Sequence, residues 1–590
     1  MRCSAGWLSF SLCALAVGCS KPAHDTAAVS PLASPAFTFP TTWLYTNPAG
    51  VVVASQGMVA TDAPLATHVG AAVLRDGGNA VDAAVATAFA LAVVFPGAGN
   101  VGGGGFLVAH MGDGREASLD FRETAPGAAT RDMYLGANGH ADDRSITGDL
   151  SAGVPGTVAG LWAAHERLGS RPWAVLLAPA IALAEQGFVV DSEFAREVRD
   201  DSARLSRFPA TRALFFPNGR VPTPGERWRN PDLAAVLHVI ATDGPKGFYA
   251  GRTAELIETE MHRGGGIITK QDLANYQVRW RGPIIFDYRG HRVISMPPPS
   301  SGGLTMALVA HELSRFDIRA AGWHSPRELS LLAEGLRRGF AVRNTLLGDP
   351  DFVTIPTSRL LSQSYADTLA STIVLDHATP SSAIQVGGGA AVEGHQTTHF
   401  SIVDAQGGAA AVTTTINGTF GAAAVVPGAG FLLNDEMDDF TVEPGKPNMF
   451  GLVQGENNAI APGKRMLSSM TPTIVLGEDE KVLLVTGASG GPTIISSAFQ
   501  VMSNVIDFGM DIGGAVRAPR VHHQHLPDIL FYEDGGLTTQ TLDALRAMGY
   551  TTKGLPPGDN GIGIGASILR RGNFMYGTPD PRVPGAAEGL

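Results

Sequence analysis

The chain has 590 residues, 17% of them charged, and a formal net charge of -12. That length exceeds one ordinary domain, and the acidic balance argues against nucleic acid and against a polybasic membrane-binding surface. All three cysteines, Cys3, Cys13 and Cys19, lie at the start, which leaves no disulfide framework and no thiolate metal site for the rest of the chain.

Met1-Arg2 and the apolar run to Gly18 read as a secretory signal, 1–18, too short for a comfortable membrane span. Leu15-Ala16-Val17-Gly18-Cys19 is similar to a bacterial lipobox. Cleavage before Cys19 and lipid on its thiol would tether an exported protein on the periplasmic or cell-surface side of a membrane. Ala16 stands where leucine is more usual, so ordinary signal cleavage and a soluble periplasmic protein are the alternative. Residues 19–50, rich in Ala, Pro, Ser and Thr, read as a flexible tether.

Residues 64–95 predict two helices, the first closing at Gly77-Gly78, the second capped by Asn79 and stopping at Pro96-Gly97. FLVAH and ASLDFRE predict a strand pair, and Pro155 opens a helix to about Leu168. The stretch 190–380 reads as mainly helical, with a strand-like patch at 284–296 and a rigid turn at Pro297-Pro298-Pro299-Ser300-Ser301-Gly302-Gly303. Strands follow near 398–404, 409–416 and 481–486, then a helix from Pro492 to about 507. Strands and helices segregate in the last third, which suggests packed α and β layers rather than repeated βαβ units.

The chemistry concentrates in a few segments. HQTTHFSIVDAQGGAAAVTTTINGTFG places Thr397 before a strand, a Gly turn and a second strand ending in Thr413-Thr414-Thr415. A threonine freed at a new N-terminus gains its own α-amine as base, whereas the bland reading is β-branched strand formers. Gly97-Ala98-Gly99-Asn100-Val101-Gly102 matches GxGxxG, but a helix precedes it and a strand follows, the reverse of a dinucleotide fingerprint. A loop of close backbone approach fits better.

Gly487-Ala488-Ser489-Gly490-Gly491 matches GxSxG between a strand and a helix. It reads either as a nucleophile elbow, with Asp507 or Asp511 and His522, His523 or His525 completing a triad, or as an anion site of Gly490 and Gly491 N–H groups. The three histidines match no zinc signature. Asn434-Asp435-Glu436-Met437-Asp438-Asp439 is a solvated loop by default and an ammonium site if pocketed; Arg122 and Ser468-Ser469 would suit a carboxylate. Together these groups suit an amino-acid-shaped ligand.

DGGNAVDAAVA, GGGGF, DFRETAP, PPPSSGG, TTHFSIVD, TTTINGTFG, NDEMDDF, RMLSSMTPT, GASGG and APRVHHQ, in this order, resemble the γ-glutamyltransferase (glutathione hydrolase) family over nearly the whole mature chain. The resemblance implies an α+β fold, a four-layer αββα sandwich of the N-terminal nucleophile hydrolase type, made as one precursor. Thr397 would attack the carbonyl of Gln396 and divide the chain into a large subunit, 51–396 behind the tether, and a small catalytic subunit, 397–590. Thr397 would then attack the γ-carbonyl of glutathione or a related compound, and water, an amino acid or a dipeptide would take the γ-glutamyl group.

Position by position, the resemblance implies that Thr415 orients Thr397 and that Asn417, Glu436 and Asp439 hold the α-ammonium. It gives the α-carboxylate to Arg122, Ser468 and Ser469, and the oxyanion to Gly490 and Gly491, with Ser489 no nucleophile. No metal or organic cofactor is needed. Gly408 and Ala410 depart from the usual nucleophile signature around the strand turn, where no loss of chemistry is expected. Phe450 stands in the lid segment where many members have tyrosine, which implies a looser lid, short of one hydrogen bond on the order of 0.5–1.5 kcal/mol. An acylase of the same fold, acting on glutaryl-cephalosporin-like amides or poly-γ-glutamate, is the competing function. A protein that only binds peptides is a third reading.

Overall fold

Beyond Met1, the computed structural model describes residues 37–47, 50–384, 397–443, 445–558 and 561–590. The expected signal, most of the tether, Cys19 and Gln396 lie outside the described residues.

Two seven-stranded sheets face each other. The first runs Ala586–Gly589, Met58–Thr61, Thr398–Val403, Ala409–Thr415, Gly104–His110, Glu116–Asp120, Arg279–Arg281. The second runs Val52–Ala54, Phe574–Thr578, Ser567–Arg571, Val482–Thr486, Thr473–Leu476, His291–Ser295, Ile284–Tyr288. All pairings within both sheets are antiparallel.

The period of two along a strand sorts side chains between two cores. In Ala409–Thr415, Ala410 and Val412 face helices while Ala409 and Ala411 face the other sheet, where they meet Ile474, Val485 and Ile568. Helices Pro64–Arg75, Ala80–Val94, Thr157–Leu168 and Trp173–Gln186 cover the outer face of the first sheet. Helices Gly302–Leu313, Pro326–Leu346 and Thr493–Ile506 cover the outer face of the second. The order is helix, sheet, sheet, helix: the αββα sandwich.

Local chemistry accounts for the elements that carry the site. Ala80–Val94 is buried along its whole length, and Asn79 closes a capping box with Asp82, satisfying backbone donors that the first turn of a helix leaves without partners. Between the sheets, His399 meets Thr413 Oγ1 at 2.9 Å and Ser401 Oγ at 3.1 Å. Burial lowers the His399 pKa to about 3, so the ring stays neutral. Ser401 Oγ donates across to Ala566 O of the other sheet at 2.8 Å.

The expected strand-like patch is two strands, Ile284–Tyr288 and His291–Ser295, joined by a tight turn. The strand expected through ASLDFRE stops at Asp120, which puts Arg122 on the segment beyond it. Among the described residues no helix is long and apolar enough to cross a membrane.

Candidate active site

Thr397 sits at the head of Thr398–Val403, buried, where the hairpin register pairs Thr398 with Thr414. Its Oγ1 donates to Thr415 Oγ1 at 3.4 Å, and Thr415 Oγ1 also accepts from Asn417 N–H at 2.8 Å. The glycine-rich segment packs closely against this strand end. A Cβ on Gly103 would lie 2.1 Å from Thr415 O, and one on Gly105 would lie 2.5 Å from Thr413 O. Asn100 Nδ2 donates to Thr415 O and Thr414 Oγ1. GxGxxG here serves close backbone approach beside the threonines.

The acidic motif is not a solvated loop. Residues Glu436–Asp439 form a buried turn, and the Arg122 guanidinium bonds Glu436 and Asp439 and lies 3.7 Å from Glu123. Three buried carboxyls share one such cation. Burial raises the pKa of Glu436 well above the usual carboxylate range, and that of Asp439 above it, despite Arg122; Glu123 rises to about 7 for the same reason. Neighbouring Asp435 is pushed to about 8 by burial, while Arg204 and the Gly418 N–H oppose the rise.

Asn417 takes a left-handed φ of 76°, a conformation asparagine tolerates better than most residues. Its Nδ2 donates to Asp435 O at 3.0 Å. The lid segment is tied to the same acidic turn: Met449 N–H donates to Asp438, Asn448 to the Asp439 carboxylate, and Gln454 to Asp439 O. Phe450 is buried and packs where a Cβ on Gly491 would be, 2.8 Å from its ring.

Opposite the acids, the cradle after Val482–Thr486 turns through Gly490 (φ 118°) and Gly491 (φ 54°) into helix Thr493–Ile506. Positive φ at both positions favours glycine, and each carries a backbone N–H. Among the described residues neither N–H has an acceptor.

The serine triad does not assemble. Ser489 Oγ donates to Ile564 O at 3.4 Å. His522 Nδ1 meets Ser496 Oγ and its Nε2 meets Gln524 Oε1; His523 faces Asp528. Asp507 accepts from Tyr288 and Ser503, and Asp511 caps the next helix. His525 is buried with its Nδ1 unpartnered among the described residues, and Ser489 Oγ bonds none of the three histidines, so the motif serves as turn and cradle.

Thr397, Thr415, Asn417, Arg122, Glu436, Asp439, Ser468, Ser469, Gly491 and Phe450 line one pocket. Gly490, next to Gly491 in the chain, is not among the lining residues. Arg343, Leu452 and Met470 also line the pocket and were missed by sequence reasoning. Arg343 belongs to LRRGFAVRN, a segment with three arginines, and spacing does not separate it from Arg337 and Arg338.

The Gamma-glutamyltranspeptidase family model matches residues 66–590. The chain is 44% identical over 535 residues to the glutathione hydrolase proenzyme of Escherichia coli, covering 90% of this chain and 91% of that one. The cephalosporin acylase of Bacillus halodurans superposes with a TM-score of 0.81 at 27% identity, over 94% of this chain and 99% of that one. The gamma-glutamyltranspeptidase of Helicobacter pylori superposes with a TM-score of 0.54 at 44% identity, over 55% of this chain and 93% of that one.

Proposed function

The chain belongs to the gamma-glutamyltranspeptidase family, and we propose that Thr397 is both the residue that cuts the precursor and the nucleophile of the mature enzyme. The protein is an autoprocessing γ-glutamyl hydrolase and transferase built from two subunits of one precursor. The observation that carries the residue-level reading is the pocket itself. One threonine at a strand head shares a wall with hydroxyl, acidic, basic and glycine N–H groups drawn from distant parts of the chain.

In the proposed sequence, Thr397 Oγ attacks the Gln396 carbonyl, and water resolves the resulting ester. The large subunit then ends at 396 and the small subunit begins with a free threonine amine. That amine takes the Oγ proton as Oγ attacks the γ-carbonyl, then passes the proton to the departing amine. Gly490 and Gly491 N–H groups receive the oxyanion, a contribution of about 3–4 kcal/mol per donor in comparable sites. Glu436, Asp439 and Asn417 hold the substrate α-ammonium; Arg122, Ser468 and Ser469 hold the α-carboxylate. Fixing both poles places the γ-carbonyl for attack and lowers the entropic cost.

The acylase alternative is tested with a pair of anilides. Glutaryl anilide lacks only the α-amine of the γ-glutamyl compound, so it brings no ammonium to the proposed site at Asn417, Glu436 and Asp439. The expected preference for γ-glutamyl over glutaryl anilide in kcat/KM is at least about 100-fold. Equal rates would favour the acylase reading.

The proposal extends to export with lipid on Cys19. The Cys19→Ala variant should move the activity from the membrane to the soluble fraction of fractionated cells. Activity that stays soluble in both forms would leave ordinary signal cleavage as the route.

A further inference from the structure

Two guanidiniums line the pocket, and their surroundings are opposite. Arg122 is bonded to Glu436 and Asp439, so its charge is largely spent on the protein's own acids. Arg343 is 1% exposed and forms no ion pair among the described residues. Its Nε donates to Ser301 Oγ at 3.0 Å, its Nη1 to Asn344 Oδ1 and Gln454 Oε1 at 3.0 Å each, and its Nη2 to Ser469 Oγ at 3.1 Å. These are four neutral acceptors for five N–H groups, which leaves one Nη2 proton unassigned.

A buried cation without a carboxylate is costly to hold. Burial pulls the Arg343 pKa down to about 10, with Asp439 opposing from a distance. The group stays charged at neutral pH. Its place in the last turn of Pro326–Leu346 sets it where a helix favours a cation.

The hydrogen bond to Ser469 has a directional consequence. Ser469 Oγ accepts from Arg343 and donates to no partner among the described residues; Ser468 Oγ likewise accepts from Met470 N–H. With an acceptor site filled, each hydroxyl keeps its proton for a ligand.

We propose that Arg343 is the second cation of the α-carboxylate pole: it orients the Ser469 hydroxyl toward the substrate carboxylate and supplies the positive charge that Arg122 spends on Glu436 and Asp439. This rests on the γ-glutamyl reading above and makes Arg343 a positioning residue that sets specificity for a free α-carboxylate.

The test compares L-γ-glutamyl anilide with its α-carboxamide twin, in wild type, Arg343→Gln and Arg343→Lys. Only preparations that yield two subunits on denaturing gels are assayed. Wild type should prefer the carboxylate by at least about 100-fold. Arg343→Gln should lower kcat/KM for the carboxylate by about 30-fold, mainly through KM, and for the carboxamide by less than about 3-fold. Arg343→Lys keeps the charge and loses the fork, so a carboxylate-specific loss of about 10-fold is expected.

Equal losses on both substrates would reduce Arg343 to a structural role, and no loss on either would remove it from recognition. Should Arg343→Gln fail to fold, an unaltered carboxylate preference in Arg343→Lys overturns the proposal. A wild type that accepts both substrates equally would instead overturn the α-carboxylate reading of the whole pocket, so the two failures are distinguishable.

Discussion

Thr397→Ala leaves a single uncut chain on a denaturing gel and lowers γ-glutamyl anilide hydrolysis by at least about 10,000-fold. Both losses have one cause, removal of the only proposed attacking oxygen at the head of Thr398–Val403. The residues around it stay in place, because Thr415 loses only the long 3.4 Å bond from Thr397 and keeps the 2.8 Å bond from Asn417 N–H and the packing of the glycine-rich segment. Thr397→Ser keeps the hydroxyl and the α-amine, so slower processing and partial activity are expected. A processed, active Thr397→Ala protein would remove the residue from the mechanism.

Arg122→Gln is the second large effect, and it acts on stability and recognition together. The guanidinium neutralises a cluster whose side chains are almost fully buried. Removing one partner of such a cluster costs about 3–5 kcal/mol, because the remaining charges are left uncompensated. The carboxyls answer by holding protons. Glu436 and Asp439 already have pKa values raised by burial with Arg122 present, and its loss raises them further.

A carboxyl with a raised folded pKa contributes stability that is complete below its unfolded pKa and is lost as pH rises through the folded one. Arg122→Gln should therefore melt several degrees closer to wild type near pH 5 than near pH 8. Its kcat/KM for γ-glutamyl anilide should fall by about 100–1,000-fold, through loss of a pole and disorder of the acidic turn. A melting difference that does not change with pH would contradict the cluster's role.

The layers were legible because periodicity and caps act locally. Asn79, Pro96 and the glycine pairs punctuate the first two helices as the sequence suggests, and strand, turn and strand around Gly407 place Thr397 near Thr415 without tertiary information. What spacing does not reveal is convergence. Arg122 and Glu436 are 314 residues apart, and read separately each has a surface explanation. The proposal sets them at opposite poles of one ligand, and the structure adds a contact that spacing does not show: they bond each other.

Arg343 was invisible for a related reason. Arg337 and Arg338 on the same helix pair with Asp528 and Glu334, and only the fold shows that Arg343 ends against neutral groups in the pocket wall. The GxSxG rivalry was equally beyond spacing. It turns on Ser496, Gln524 and Ile564, partners with no sequence signature for the role they play.

The most direct measurement is N-terminal sequencing of the small subunit from purified wild-type and Ser489→Ala proteins, run beside their activities. The account predicts a subunit that begins Thr-Thr-His-Phe in both, with activity close to equal. An intact wild-type chain that is active, and whose activity disappears in Ser489→Ala, would contradict the threonine mechanism and restore the serine one.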